Sequence, residues 1–542
     1  MPTALPSPSP GGPASPDRAL PRRSLLRGGG ALAVAGAGLL LPAAAASAAG
    51  TAGLVRRGAP QLTHGVQSGD VTSSRAVVWT RADRPARMFV QVSPTGSFDR
   101  SCRTVRGPVL TAASDFTGRV ELTGLPQGSD VSYRVVLGDP DAHRPDGAAL
   151  EGLLRTAPGR RQRSGVRFLW SGDQAGQGWG RNPDLGGFPI YRAMSAREPD
   201  FFLHSGDTIY ADGPITGDVQ LPDGRTYRNV VTEAKSHVAQ TLDDFRGAFQ
   251  YNLEDDGLKE FFARTAQVNQ WDDHEVHNNW FPHEIIDDPT YTEKRIDVLR
   301  GRGEQAWREY VPISSRRDGR VYRSFHHGAL LDVFVLDMRS YRDSNADGSV
   351  AGGVGPDGGI LGGEQARWLV DAMAASRATW KVVQADMPLS LVVPDAQTDP
   401  AGIEAVAQGD PGVPAGRERQ IAWVLRELKH RGVRNHVWLT ADVHYTAAHH
   451  YDPARATFSE FDPFWEFVSG PLHAGSFGPS ALDATFGPEV RFQAVPPRQN
   501  TSPLEGSQYF GEVEVDGGGA LTVTLRDVAG AALWSTTLDP QG

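Results

Sequence analysis

Residues 62–156 show the pattern of strands and turns and lack strong helical periodicity. Short runs rich in β-branched and aromatic residues are bounded by clusters of Gly, Pro, Ser and Asp, which is typical of a small β domain. The clearest runs are Ala76–Thr80, Met88–Val92, Phe116–Leu125 and Val131–Val136. We therefore predict an N-terminal β-sandwich over residues 60–157, with no obvious chemistry of its own.

After a linker rich in Arg, Gly and Ser at residues 158–165, apolar strands alternate with helical patterns. The strands run into loops that carry Asp and comprise Val166–Trp170, Asp200–His204, Leu331–Leu336, Trp380–Val383 and His436–Thr440. The helical patterns cover Lys294–Tyr310, Gly363–Ala375 and Arg417–Lys429. This alternation predicts a layered α/β fold. In such folds, ligands bind at the carboxyl ends of the strands.

The densest group of polar residues is the block Trp271–Asn279, which reads Trp-Asp-Asp-His-Glu-Val-His-Asn-Asn. It follows an aromatic-rich helical pattern and is closed by Trp280 and Phe281. Charged residues are rarely buried without a partner. The block is therefore a metal site or a capping and turn cluster, and the flanking tryptophans argue against an ordinary solvated charge run.

Composition narrows the functional classes. The chain has 542 residues, 22% charged and 39% hydrophobic, which describes a soluble protein of more than one domain. A net charge of -10 argues against a nucleic-acid-binding surface. The single cysteine, Cys102, rules out an internal disulfide and a cysteine-based zinc site. Any metal must therefore be held by Asp, Glu, His, Asn or Tyr.

The N-terminus carries the three parts of an export signal. Arg22 and Arg23 precede an apolar run over residues 28–42, and a cleavage-like Ala-Ser-Ala triplet follows at residues 46–48. We interpret residues 1–48 as a twin-arginine signal peptide. The apolar run is short and rich in Gly and Ala, so it is a poor membrane span. This predicts recognition by the twin-arginine export machinery, a secreted or cell-surface protein and a mature chain without a transmembrane segment.

The recurrence of Asp after strands points to a metal centre. A single Asp in this position is usually a helix cap or turn former. Several at one sheet edge would repel and raise one another's pKa unless cations lay among them. We interpret the set as a centre for two or more metal ions.

Four motifs make the chain resemble the alkaline phosphatase D family of the calcineurin-like metallophosphoesterases. They are Ser205–Tyr210, Trp271–Glu275, Leu336–Arg342 and Ala441–His444. The resemblance covers most of the mature chain. It implies a fibronectin- or immunoglobulin-like sandwich followed by a four-layer αββα metallophosphoesterase domain over residues 165–542.

The same resemblance implies a site with Fe³⁺ and Ca²⁺. It gives Asp207 the role of bridging carboxylate, His274 that of catalytic histidine, and the remaining ligand positions to Asp173, Tyr210, Asp273, Asp386, Asp442 and His444. Asp273 and Asp442 stand where the superfamily has Asn and His. An all-oxygen set of Asp207, Asp273, Asp386 and Asp442 suits a hard cation, calcium more readily than zinc.

The implied function is that of a monomeric phosphomonoesterase with phosphodiesterase activity, which hydrolyses its substrate by a metal-activated hydroxide. Arg339 and Asn278 are candidate substrate contacts, although an internal salt bridge suits Arg339 at least as well. Asp212 receives no role. A phospholipase D-like phosphodiesterase of the same family stays open, because selectivity depends on loops such as residues 213–241 and 343–362. A non-catalytic, calcium-dependent extracellular binding protein is a further alternative.

Overall fold

The computed structural model describes residues 58–99, 102–315, 319–345, 353–395, 402–410 and 412–541. The predicted signal peptide at residues 1–48 lies outside these residues. Within them, no helix is both long and apolar enough to cross a membrane.

The N-terminal part is built of strands, as predicted. The strands are β1 (Leu62–Gly69), β2 (Arg75–Ala82), β3 (Ala86–Ser93), β4 (Arg103–Leu110), β5 (Thr117–Thr123), β6 (Asp130–Gly138) and β7 (Ala149–Arg155). One sheet has the order β4-β3-β6-β7, and β1, β2 and β5 lie side by side in a second sheet. Alternating apolar residues of both, such as Val78, Val90 and Tyr133, form the core of the sandwich.

The middle of the chain supplies the first α/β layers. Its strands are β8 (Val166–Ser171), β9 (Gln174–Gly176), β10 (Phe201–Ser205), β11 (Asp218–Gln220), β12 (Thr226–Arg228) and β13 (Ala266–Gln270). Its helices are α1 (Ile190–Ser195), α2 (Leu242–Leu253), α3 (Asp256–Arg264) and α4 (Ile296–Tyr310). Strands β8, β10 and β13 pair in parallel, as expected of buried strands joined by helical crossovers.

The rest of the chain supplies the second large sheet, three further strands of the first sheet and two helices. Its strands are β14 (Arg323–His327), β15 (Leu331–Val335), β16 (Trp380–Gln384), β17 (Leu391–Val392), β18 (Pro394–Asp395), β19 (Gly402–Ile403), β20 (His436–Thr440), β21 (Thr446–Tyr451), β22 (Phe464–Val468), β23 (His473–Ala474), β24 (Ala481–Leu482), β25 (Pro488–Ala494), β26 (Tyr509–Val515), β27 (Leu521–Asp527) and β28 (Ala532–Leu538). Its helices are α5 (Gly362–Ala375) and α6 (Glu418–His430). The three predicted helices thus correspond to α4, α5 and α6.

Two large sheets pack face to face between helices. The first has the order β28-β27-β26-β8-β10-β13-β1-β2-β5, and the second has the order β14-β15-β16-β20-β22-β21-β25. A shared apolar core that includes Phe168, Leu203, Val382 and Leu439 lies between them. Helices α2 and α4 cover the outer face of the first sheet, and α5 and α6 cover that of the second. The α/β prediction, with a sandwich and four αββα layers, is confirmed.

The sandwich is continuous with the first large sheet. Strand β1 pairs in parallel with β13, with Gly69 opposite Gln267. Gly69 has no room for a side chain, since a Cβ there would come within 2.4 Å of the Pro312 carbonyl oxygen. This pairing joins the two parts of the chain through backbone hydrogen bonds, which periodicity in the sequence did not indicate.

Candidate metal centre

The predicted ligands converge because strands of both sheets end at one edge. From the first sheet, β8 leads to Asp173, β10 to Asp207 and Tyr210, and β13 to Asp272, Asp273 and His274. From the second sheet, β16 leads to Asp386, and β20 leads to Asp442 and His444. The packing of the sheets therefore brings together side chains that are up to 271 positions apart in the sequence, from Asp173 to His444.

The turns that carry these ligands have an unusual backbone. Asp173, Asp207, Asp442 and His444 have φ angles of 67°, 49°, 65° and 59°. Such left-handed conformations are uncommon outside glycine, are most accessible to Asp, Asn and His, and concentrate at functional sites. Close packing adds a further constraint, because a Cβ on Gly470 would come within 2.1 Å of an Asp173 carboxylate oxygen.

The first ligand group consists of Asp173, Asp207 and His444, whose ligand atoms all lie within 4.8 Å of one another. The Tyr210 hydroxyl lies 2.7 Å from His444 Nε2 and so adds a phenolic oxygen to the group. His444 Nδ1 donates to the Gly475 carbonyl, which leaves the Nε2 lone pair directed into the site. The group thus offers two carboxylates, one phenol and one imidazole.

Asp207 also belongs to a second group. This group consists of the carboxylates of Asp207 and Asp273 and the imidazole of His274, and its ligand atoms again lie within 4.8 Å of one another. One Asp207 oxygen also accepts a hydrogen bond from the His274 backbone N–H at 3.1 Å. Because its carboxylate is shared by two groups, Asp207 has the position expected of a bridging ligand.

A third group, Asp272, Asp273 and Asp442, lies around a buried arginine. Arg339 has no exposed surface, and its Nη2 lies 2.6, 3.8 and 3.7 Å from oxygens of these three residues. Its Nη1 also contacts Glu404. The guanidinium is therefore the centre of a buried ion-pair cluster, which fits the internal salt bridge better than a contact to substrate.

The raised pKa values of most carboxylates of the centre indicate that they lack enough positive charge. Asp273 is the exception, because the charges of His274 and Arg339 outweigh the effect of burial and lower its pKa below 3.8. Burial raises the pKa of Asp173 to about 8 and that of Asp386 to about 6. Burial, together with the neighbouring carboxylates, raises the pKa values of Asp207 and Asp442 well above 3.8. Burial likewise raises the pKa of Tyr210 well above 10. A bound cation would reverse these shifts, since it favours the ionised form of each ligand.

The residues present fit a metal centre. Both oxygens of Asp173 are fully buried and have no hydrogen-bond partner among the described residues. Leaving a buried carboxylate uncompensated is costly. Burial also lowers the pKa of His444 to about 4, so its imidazole is neutral, as metal binding requires. A trivalent or borderline metal suits the group with Tyr210 and His444, and a hard cation suits the carboxylates.

Not every predicted ligand joins a group. Asp386 accepts a hydrogen bond from Gln270 at 3.2 Å, and its other oxygen lies 3.6 Å from Arg339 Nε. It thus lies at the edge of the ion-pair cluster. Asn278 is half-buried beside the site, and its backbone N–H donates to Asp212 at 2.6 Å.

His274 is held by a residue that received no role from the sequence. Its Nδ1 lies 2.7 Å from Asp212 Oδ1, so this nitrogen carries the proton that the carboxylate accepts. Burial lowers the pKa of His274, but Asp212, Asp273 and Asp207 outweigh this effect and raise it well above 6.5. Asp212 follows Tyr210 by two residues, and this closeness to a ligand motif was the only signal in the sequence.

Glu275 ties two ligand loops together. Its Oε1 accepts hydrogen bonds from the backbone N–H and hydroxyl of Thr208, and its Oε2 accepts from the Asp272 backbone N–H at 2.9 Å. The third acid of the block therefore fixes the loop after β10 against the loop after β13. Sequence reasoning gave it no role either.

Two packed sheets between helices, with a centre lined by carboxylates, a phenol and imidazoles at the strand ends, define a metallohydrolase of the four-layer type. The model of the PhoD-like phosphatase family matches residues 168–525, and that of its N-terminal domain matches residues 46–158. The chain belongs to the PhoD-like phosphatase family. It is a metal-dependent phosphoric ester hydrolase, which sets aside the non-catalytic alternative.

Comparisons with individual proteins support the same family and fold. The chain is 29% identical over 441 residues to alkaline phosphatase D of Bacillus subtilis (strain 168), covering 77% of this chain and 70% of the relative. A solved structure of PhoD matches with a TM-score of 0.66 and 22% identity, over 88% of this chain and 89% of the other. A purple acid phosphatase from yellow lupin seeds matches with a TM-score of 0.56 and 12% identity, over 88% and 74%. These two likenesses show the fold.

Proposed function

We propose that the chain is an alkaline phosphatase D-like enzyme that hydrolyses phosphate monoesters and also diesters, and that it is exported by the twin-arginine route. The observation that carries the catalytic part is the position of Asp207, whose carboxylate is common to two ligand groups. Such a shared carboxylate is expected of a two-metal phosphoesterase.

Fe³⁺ would be held by Asp173, Asp207, Tyr210 and His444, and Ca²⁺ by the carboxylates of Asp207 and Asp273 with Asp442 beside them. The donor sets support this assignment, because only the first group contains a phenol and a neutral imidazole. Bound there, the two cations would polarise the phosphoryl oxygens and make water more acidic.

Residues of the chain itself supply the proton for the leaving group and hold the neighbouring side chains in place. With Nδ1 of His274 bonded to Asp212, Nε2 is the nitrogen left to face the ester. A proton at Nε2 could pass to the leaving alkoxide oxygen as the P–O bond breaks. Arg339 and Glu404 keep the carboxylates behind the site in fixed positions, because they are buried and paired with each other.

The test is the His274→Ala variant, with His283→Ala as the matched control. His283 lies in the same region with 87% of its side chain exposed. We expect His274→Ala to keep its iron and calcium and to lose ~10²–10⁴-fold in kcat on an alkyl phosphate. The loss on p-nitrophenyl phosphate should be smaller, because nitrophenolate leaves without a proton.

His274 also lies within one ligand group, so the metal analysis decides between two roles. Iron or calcium lost together with the imidazole would make His274 a ligand and contradict the proton-donor role. The bis(p-nitrophenyl) ester, tested with and without added calcium, measures the diesterase activity. A wild-type protein that hydrolyses neither the mono- nor the diester would overturn the proposed function itself.

A further inference from the structure

The imidazole of His274 is restrained at one nitrogen and across one face. Asp212 Oδ1 accepts the Nδ1–H bond at 2.7 Å, while Asp212 Oδ2 accepts the backbone N–H of Asn278 at 2.6 Å. Both oxygens of this carboxylate are thus occupied, and only 9% of the side chain is exposed. The Asp212 carboxylate therefore has little freedom to rotate, and its hydrogen bond to Nδ1 limits the rotation of the imidazole.

The second restraint is the ring of Tyr210. It stacks on the imidazole of His274 with the ring centroids 4.1 Å apart and the planes at 30°. A Cβ on Gly176 would come within 2.3 Å of Tyr210 Cζ, so a glycine at that position leaves the room that this ring needs. The Lys235 ammonium also donates to the Tyr210 carbonyl, which fixes the backbone of the same loop.

We propose that Asp212 is the positioning residue of His274, and that with the Tyr210 ring it directs Nε2 towards the leaving oxygen of the ester. This inference rests on the proposed function. It corrects the sequence-based view, in which Asp212 had no role. Under this proposal, one short loop, from Asp207 to Asp212, supplies the bridging carboxylate, the phenol and the residue that orients the proton donor.

The contacts to Asp212 limit the orientations of the imidazole. An imidazole with one nitrogen free can rotate about its Cβ–Cγ bond, and proton transfer requires the donor within hydrogen-bond reach of the acceptor. A carboxylate at Nδ1 selects the tautomer and one of the two ring orientations, as in other sites where a second group holds a histidine. Removing that carboxylate should leave the metal ligands in place and reduce only the steps that need the proton.

The experiment compares Asp212→Ala and Asp212→Asn with Asp218→Ala, a control at an exposed position of the same loop region. The measurements are kcat and KM on ethyl phosphate and p-nitrophenyl phosphate, the iron and calcium content, and the melting temperature. We expect unchanged metal content in the Asp212 variants. We expect kcat on ethyl phosphate to fall about 10- to 100-fold, within the range of general acid catalysis, and to fall only a few-fold on p-nitrophenyl phosphate.

A double variant decides whether Asp212 acts through His274. If it does, Asp212→Ala combined with His274→Ala should have the same kcat on ethyl phosphate as His274→Ala alone, because the orientation of a missing ring has no effect. Losses that multiply, or equal losses on the two substrates, would overturn the proposal. If Asp212→Ala fails to fold, Asp212→Asn, which keeps the shape of the side chain, gives the same comparison. Wild-type protein inactive on both esters would instead contradict the proposed function.

Discussion

At the scale of single residues, the centre contains two kinds of buried carboxylate. Asp272 and Glu404 form buried ion pairs with the guanidinium of Arg339. The oxygens of Asp173 have no hydrogen-bond partner among the residues that the structure describes, and burial raises its pKa to about 8. The fold thus supplies an arginine to some of these buried carboxylates and none, among the described residues, to Asp173 and Asp207. These two should depend most strongly on a bound metal ion.

This distinction gives a prediction for Asp207→Ala. Because Asp207 belongs to two ligand groups and has no arginine partner among the described residues, its loss should remove iron and calcium together and abolish most activity. Elemental analysis and turnover of p-nitrophenyl phosphate on the same samples measure the two effects. Asp218→Ala is the matched control and should keep both. Retention of either metal at full stoichiometry in Asp207→Ala would show that the carboxylate does not bridge.

Much of the site could be predicted from sequence. Strand-ending Asp residues and the resemblance named Asp173, Asp207, Tyr210, Asp273, Asp442 and His444, and the fold brings all six to one edge. The residues that were missed act through contacts far along the chain. Glu404 pairs with Arg339, and Asp212 bonds to a histidine 62 positions away. No local pattern distinguishes such residues from surface acids.

At the scale of elements, strand β13 shows where hydrophobic periodicity fails. All five residues of Ala266–Gln270 are buried, yet three of them are Gln or Asn, so this stretch shows no apolar strand pattern. Polar contacts replace apolar packing: Gln267 donates to Gln67 at 2.9 Å, and Gln270 donates to Asp386. Buried polar groups are tolerated when they are hydrogen-bonded. The strand that leads into the Asp-Asp-His block was therefore recognisable only from the fold.

The junction between the sandwich and the rest of the chain depends on a buried ion pair. Asp70 follows β1, and its Oδ1 lies 2.9 Å from Nη2 of Arg323 in β14, while Oδ2 accepts the Ser314 N–H. Both side chains are at most 2% exposed. Removing one partner of such a pair leaves an uncompensated buried charge, which costs about 3–5 kcal/mol.

We therefore expect Asp70→Ala to lower the free energy of unfolding by about 3–5 kcal/mol. The matched control is Asp130→Ala, which breaks a pair with Arg155 in which both side chains are at least 50% exposed. Exposed pairs contribute about 0–1 kcal/mol. Urea titration of the three proteins measures the difference. Equal unfolding midpoints for the two variants would show that the buried pair does not stabilise the junction.

At the scale of the whole molecule, several histidines far from solvent are kept neutral by burial. Burial lowers the pKa of His64, His327, His436 and His473 to about 4, and that of His204 to about 3. In the unfolded chain a histidine has a pKa of about 6.5. The unfolded state therefore binds more protons than the folded state between these values. It follows that the stability falls as the pH drops from about 6.5 towards 4.

His436 is the best position for a test, because it begins β20, whereas the metal ligands follow the other end of that strand. It is 8% exposed, its ring contacts that of Phe464 with the ring centroids 5.3 Å apart, and its Nδ1 has no hydrogen-bond partner among the described residues. His436→Phe keeps an aromatic ring but removes the titrating group. The variant should lose roughly 2 kcal/mol less than the wild type when the pH is lowered from 7.5 to 4.5. Urea midpoints at several pH values, with His430→Phe as the exposed control, measure this difference. Parallel curves for wild type and His436→Phe would show that this imidazole does not take up its proton on unfolding.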